Sequence, residues 1–389
     1  MKRYIPLICL SLAHTLVDTC AQLVEPLWPG IRRSYGLEHM GMLSLAFVIQ
    51  SLPTSLSQAV FGYIRDLRST PWLMWVGPIL GAVCMSSIGL SDSQFVLAIL
   101  FILGGIGIGA FHPEAAVAAG RALPEHRTRS LSMFMLGGAL GLGLGPVLSG
   151  AIVRYWGVAG LVGMIPFLVA LIGLLWWGGQ LGTLSPKPKS GAPRPSISEA
   201  FEGRGKLALA IFVICSLRLV PNMAVAKVLS FTLKNWGYDE LETGLVQSLF
   251  LVAASAGMFL MAFRFRSGLE RSFMIWCPLI GIPMLAVMGW EGCPRWLFMT
   301  MLMTSGITLW GTTPAMVSYA QQQFPNGAGM ASAITMGLAW GLGGLIQAPI
   351  TAHFSGTAQP QWAFFGFIPC LVLSTLGARL LPPLRESSV

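Results

Sequence analysis

The chain has 389 residues, of which 54% are hydrophobic and only 10% charged, and its mean hydropathy is +0.70. Soluble proteins carry roughly 25% charged residues, so a water-soluble multidomain enzyme is excluded. The net charge of +9 is spread over short segments between apolar runs and forms no nucleic-acid-binding face, so it has to be read loop by loop. Lipid offers backbone amides no partner outside a helix or a closed barrel, and these apolar runs are about twice the length of a barrel strand. The composition therefore predicts a polytopic all-α membrane protein.

In chain order, the first apolar run follows Lys2 and Arg3 and continues to about Trp28. It lacks a small-residue cleavage site and has spanning length, so it reads as a membrane helix and not as a removable leader. At about 20 residues per span, the predicted spans are 4–28, 40–63, 72–90, 94–119, 130–153, 159–178, 207–232, 241–263, 272–290, 295–321, 328–354 and 361–381, twelve in all. With the N-terminus placed inside, 17 of the 24 basic residues fall in inner segments and five in outer ones, while Arg218 and Lys227 lie within a span. The positive-inside rule then puts both termini in the cytoplasm.

Residues 183–206 break the apolar rhythm with Pro, Ser and Lys and read as a cytoplasmic linker between a six-helix bundle of residues 1–182 and another of 207–389. The two halves echo each other. Pro113 and Pro124 recur as Pro314 and Pro325, and Gly137 and Gly141 recur as Gly337 and Gly341, at offsets of 201 and 200. A duplicated six-helix unit is what a transporter that alternates access between its two sides requires.

Ionisable groups inside the spans are costly unless they have a partner or line a cavity. The first span carries His14, Asp18, Gln22 and Glu25 along one helical stripe, expected to face a cavity. Burial and a neighbouring imidazole act in opposite directions on a carboxyl group, so Asp18 with His14 suits proton carriage; the plainer alternative is a static buried pair. Glu25 lies near the outer end, where it could equally reach water. The fourth span carries Phe111-His112-Pro113-Glu114. His112 and Glu114 are about 200° apart around the helix, so one of the two is expected to face the cavity, against a role in holding the inner end of that helix. The seventh span carries Arg218 with Asn222 one turn later, a pairing suited to a carboxylate or phosphonate, or alternatively to a salt bridge with a first-half carboxylate such as Asp18 or Glu114. Lys227 lies nine residues further on and in opposite phase.

Two glycine-bearing motifs point to gating. The loop after the second span reads Gly62-Tyr-Ile-Arg65-Asp66-Leu-Arg68, in which Asp66 can pair with a helix end and Gly62 permits close approach. The fifth span carries Gly137-Gly138 and then Gly141-x-x-x-Gly145-Pro146, where small residues let two backbones meet and proline bends the helix. Gly105-Ile-Gly107-Ile-Gly109 lies inside an apolar span with no strand before it, which makes it helix packing and not a dinucleotide site.

The Gly62–Asp66 loop resembles the helix 2–3 signature of the major facilitator superfamily, although Leu67 to Thr70 replaces its usual basic run. Gly141 to Pro146 is similar to the motif that the antiporters of that superfamily carry. Ala13-His14 to Asp18, Gly62 to Asp66 with Pro71-Trp72, Phe111 to Glu114, and Tyr319-Ala320-Gln321 to Pro325 with Gly329-Met330 and Gly341 to Gly344 together resemble its fosmidomycin-resistance branch over essentially the whole chain. That resemblance implies the twelve-helix major facilitator fold and proton-driven drug efflux across a bacterial inner membrane.

The expected assignment is then proton coupling at His14, Asp18, His112 and Glu114, substrate binding at Arg218, Asn222, Gln22 and Lys227, and conformational roles for Gly62, Asp66, Arg68, Pro113, Gly141, Gly145 and Pro146. The partners are a small amphipathic or anionic compound, protons and the lipid bilayer, with no nucleic acid, and the chain is expected to be a monomer. No phosphate loop, HExxH or GxSxG occurs, so the reading is a non-enzyme without cofactor or metal. The seven cysteines show no CxxC spacing and read as buried apolar residues. An uptake symporter on the same fold and a non-transporting receptor or scaffold are the alternative readings.

Overall fold

The computed structural model describes residues 4–122, 127–179, 181, 199, 201–264 and 268–384. Most of the predicted linker, Lys2, Arg3, Pro124, Arg385 and the side chain of Asp66 lie outside the described residues. The described residues are predominantly helical, without strands. Ten of their helices are long and apolar enough to cross a membrane, and a shorter apolar helix accompanies them.

The first predicted span is α1 (Ile5–Gln22), followed by a 3-10 turn over Glu25–Leu27 and α2 (Trp28–Ser34). The second to sixth are α3 (Met40–Leu67), α4 (Leu73–Ser86), α5 (Gln94–Ala122), α6 (Arg127–Trp156) and α7 (Met164–Gly178). The seventh to ninth are α8 (Gly205–Asn235), α9 (Glu240–Arg264) and α10 (Glu270–Gly289). The tenth is broken into α11 (Arg295–Ser305) and α12 (Thr313–Gln323), and the eleventh into α13 (Ala328–Ser332) and α14 (Ala339–Ser355); α15 (Ala363–Leu380) is the twelfth. Both breaks contain a widened π-helical turn, over Gly306–Trp310 and Ala333–Leu338. Such turns loosen the regular ladder and often lie at functional positions.

Within the described residues the chain packs as two compact units, one drawing on Met1–Ser190 and Leu229–Val252, the other on Gly191–Val228 and Ala253–Val389. The boundary falls inside α8, because the segment after Val228 belongs with the first unit. Ser230 donates to the backbone carbonyl of Glu25, Gln247 Nε2 donates to Ser230 Oγ at 2.9 Å, and Gly150 and Gly244 bring α6 and α9 into backbone contact.

Glycine determines how closely the helices of the first unit approach. In α5 the glycines of the 105–109 run serve two faces: a Cβ on Gly107 would lie 2.6 Å from Gly77 O and Gly81 N of α4, whereas one on Gly105 would lie 3.0 Å from Thr54 Oγ1 of α3. Gly109 likewise abuts Thr54 and Ser57 of α3. The run is helix packing, as its apolar setting implies. In a membrane, where lipid is as apolar as leucine, this close fit replaces the hydrophobic effect as the force between helices.

A Gly107→Val substitution should therefore force α4 and α5 apart and cost about 1–3 kcal/mol, read as a lower unfolding temperature of the detergent-purified protein. Gly173→Ala, at a position with nothing within 4 Å of an added Cβ, should leave that temperature unchanged.

Candidate functional site

The first unit gathers three of the sequence-selected ionisable residues. His14 and Asp18 share one face of α1, where His14 Nε2 lies 3.3 Å from Asp18 Oδ2. From α5, His112 Nε2 approaches the other carboxylate oxygen, Oδ1, at 3.2 Å. Asp18 is thus held between two imidazoles that are separated from each other by nearly a hundred residues of sequence. His14 is buried, Asp18 is 9% exposed, and the His112 side chain is 22% exposed.

The far nitrogens of both rings are committed to backbone carbonyls. His14 Nδ1 donates to Phe134 O of α6 at 2.9 Å, and His112 Nδ1 donates to Ile108 O at 2.8 Å. A carbonyl can only accept, so each Nδ1 carries hydrogen and each neutral ring turns an Nε2 lone pair toward Asp18. Phe134 also stacks on His14, with centroids 4.1 Å apart and planes inclined by 21°; an aromatic face of this kind favours a cationic ring. The three facing atoms lie within 4.8 Å of one another.

The stripe of α1 faces a glycine ladder on α6. A Cβ on Gly138 would come 2.5 Å from His14 and 2.8 Å from Asp18 Oδ2, and Gly137, Gly141 and Gly145 meet Ser11, Thr15 and Thr19 with the Cβ of Gln22. Thr15 Oγ1 donates to Gly137 O at 2.8 Å and Thr19 Oγ1 to Gly141 O at 3.3 Å. The stripe therefore faces neighbouring helices more than an open cavity. Gln22 sits half-buried one turn beyond Asp18, and Glu25 is buried in the following 3-10 turn without reaching water.

Glu114 lies apart from this group. It is buried and accepts a hydrogen bond from Thr70 Oγ1 at 2.9 Å, tying α5 to the entry of α4. The two-residue spacing places His112 and Glu114 on different faces, and it is His112 that meets Asp18. Gly62 of α3 packs on Pro113, with an added Cβ at 3.8 Å. Arg68 is exposed, and its amide closes α3 on Ile64 O at 2.9 Å. Pro146 accepts the close approach of Gly244 of α9, and the neighbouring Val147 amide donates to Ser248 Oγ at 3.2 Å.

The second unit holds a different kind of site. Arg218 is 1% exposed in the middle of α8. Its Nη2 donates to Leu309 O, inside the π-helical turn, and lies 3.5 Å from Thr313 Oγ1. Its Nε and Nη1 have no hydrogen-bond partner among the described residues, and neither polar atom of the buried Asn222 side chain has one. Among those residues Arg218 is in no ion pair, and Asp18 and Glu114 are bound within their own unit. Lys227 is buried further along the same helix. A buried guanidinium without an anion costs several kcal/mol, a cost that a ligand carboxylate or phosphonate would offset by paired charge-assisted hydrogen bonds.

Phe134, Thr15, Thr19, Thr70 and Leu309 contribute to these sites without having been singled out by type. Thr15 and Thr19 could have been found by their four-residue spacing along α1. The backbone roles of Phe134 and Leu309 leave no signature in residue identity.

A polytopic helical bundle with a buried titratable cluster in one unit and a buried unpaired guanidinium in the other has the features of a secondary transporter. The chain belongs to the Major Facilitator Superfamily, whose family model matches residues 10–348, and it is a multi-pass membrane transporter of that fold, not an enzyme. It is 25% identical to the fosmidomycin resistance protein of Escherichia coli K12, over 94% of this chain and 91% of that one. It is 26% identical to the uncharacterized MFS-type transporter YfnC of Bacillus subtilis 168, over 94% and 90%. Among solved structures it is similar to a bacterial homologue of the lysosomal transporter Spinster in an inward-facing, unoccupied conformation (TM-score 0.77, 13% identity, 100% of this chain and 99% of that one). It is similar also to the POT family transporter PepTSo (TM-score 0.75, 12% identity, 98% of each).

If Arg218 is held for a ligand and not for the fold, Arg218→Met should keep or raise the unfolding temperature, since an uncompensated buried charge is replaced by an apolar chain of similar length. A loss of stability beyond about 2 kcal/mol would instead show that the guanidinium is structural.

Proposed function

We propose that the protein is a proton-coupled exporter of a small anionic or amphipathic compound, of the fosmidomycin type or an endogenous metabolite, in a bacterial inner membrane with both termini in the cytoplasm. The observation that carries this reading is Asp18 held between His14 and His112 inside a span, at 3.3 and 3.2 Å. Charged groups at such depth are costly unless function requires them. The 25% relationship to a fosmidomycin resistance protein and the glycine-proline stripe of α6 support the outward direction. The excess of basic residues in alternate loops supports the orientation.

In the proposed cycle, protons entering from outside load the Asp18 group and change the charge between α1, α5 and α6. Arg218 and Asn222 bind the anionic part of the substrate when the protein opens inward. Protons and substrate favour different members of one conformational equilibrium, and that difference alone couples them. Gly141 and Gly145 keep α1 and α6 in close contact while the helices shift, Pro146 meets α9 at Gly244, and Glu114 holds the end of α5 through Thr70. Gln22 and Lys227 are assigned as secondary substrate contacts.

Expression in a bacterial strain lacking its own efflux pumps, challenged with fosmidomycin and a panel of phosphonates and carboxylates, tests this. Resistance should rise, disappear with an uncoupler, and be lost in Asp18→Asn and Arg218→Met. Uncoupler-sensitive export that survives Asp18→Asn would overturn the coupling assignment. Accumulation in right-side-out rather than inverted vesicles would replace export by uptake symport.

A further inference from the structure

We propose that the His14–Asp18–His112 group is a two-proton site, cycling between net charges of −1 and +1, so that two protons enter for each substrate exported. The proposal rests on the coupling role assigned above and adds its stoichiometry.

The argument is one of hydrogen-bond accounting. Both Nδ1 atoms donate to carbonyls, of Phe134 at 2.9 Å and of Ile108 at 2.8 Å, so neither ring can place its neutral-state hydrogen on Nε2. With Asp18 ionised and both rings neutral, two nitrogen lone pairs face two carboxylate oxygens at 3.3 and 3.2 Å, and both contacts are repulsive. One added proton turns one contact into a charge-assisted hydrogen bond and leaves the other repulsive. A second proton completes both. Each proton adds to a nitrogen lone pair or is shared with the oxygen, and its position does not alter the count. The two rings use different carboxylate oxygens, Oδ2 and Oδ1, so the second proton does not compete with the first for an acceptor.

The surroundings tolerate the fully loaded state. Among the described residues the titratable groups acting on Asp18 or acted on by it are His14, His112 and the thiol of Cys20; α6 brings to it the glycine ladder and the carbonyl and ring of Phe134. Phe111 lies 5.9 Å from His14 and 5.6 Å from His112, ring to ring. The two sites differ in access, the His112 side chain being 22% exposed and that of His14 5%. His112 is therefore the port through which protons enter and leave, and His14 is the inner store.

Two measurements test this. Histidine-labelled full-length protein in detergent, with signals assigned by His14→Gln and His112→Gln, reports ring protonation by nitrogen NMR. At alkaline pH both rings should carry hydrogen on Nδ1 alone, and in the proton-loaded protein both should be doubly protonated. Hydrogen on Nε2 at alkaline pH, or only one ring taking up a proton, overturns the proposal even if transport is proton-driven. In proteoliposomes with the membrane potential clamped to zero, a one-unit pH gradient should hold a fosmidomycin gradient of about 100-fold for two protons and about 10-fold for one. A 10-fold limit refutes the two-proton site while leaving coupled export intact. Absence of any gradient refutes the transport reading, and the NMR result then decides the site on its own.

Discussion

The architecture of the first unit depends on the backbone contact between α1 and α6. Beyond Phe134, the glycines Gly137, Gly138, Gly141 and Gly145 leave one face of α6 without side chains, so α1 lies directly on its backbone. In water a helix face carrying Ser11, His14, Thr15, Asp18 and Thr19 would be solvated. In lipid it must find protein partners, because each unsatisfied polar group costs several kcal/mol. The bare face of α6 supplies them as carbonyls: Phe134 for His14, Gly137 for Thr15 and Gly141 for Thr19. The same closeness that makes the helices pack therefore sets the hydrogen on His14 and aims its other nitrogen at Asp18. A methyl group on α6 at Gly138 would occupy the position of that pair.

The two halves share a construction in which the chemistry has been exchanged. In the first, the acid is Glu114 on α5 and the hydroxyl is Thr70 at the entry to α4. In the second, the acid is Glu270 at the start of α10, and the hydroxyl is Ser318 on α12, donating at 3.1 Å. Thr70 and Glu270 are 200 residues apart, the offset of the glycine repeat. Each half thus ties the entry of its third span to its fourth with one buried carboxylate, which accounts for a charge at Glu114 without requiring it to move protons. His112 has no such counterpart. Its position belongs to the specialisation of the first half, as the uncharged stretch around Pro314 indicates.

Hydropathy and loop charge made the twelve spans legible, because lipid imposes length and composition with little tolerance. The stripe of α1 was legible for the same reason: few ionisable residues survive inside a span, and those four apart share a face. The joining of Asp18 to His112 was not, since 94 residues separate them and helix phase alone left His112 and Glu114 equivalent. The breaks at Gly306–Trp310 and Ala333–Leu338 were also invisible, because a π-helical turn has the composition of the helix it interrupts.

The two sites are incomplete in complementary ways. The Asp18 group has more acceptors than hydrogens, since two ring lone pairs and a carboxylate face one another, and protons complete it. The Arg218 group has more donors than acceptors, with Nε, Nη1 and the Asn222 amide unsatisfied, and an anion completes it. Neither deficit can be repaired by water without an aqueous path, and neither is repaired among the described residues. On the proposed function each site would be most stable when it holds a species from outside the protein, and the two species would carry opposite charge. A fold with one conformation would bind both and stop. In the proposed cycle, two conformations that weight the two deficits differently would convert the same imbalance into exchange, with the helix contacts of α1, α5 and α6 as the element whose energy the protons would change.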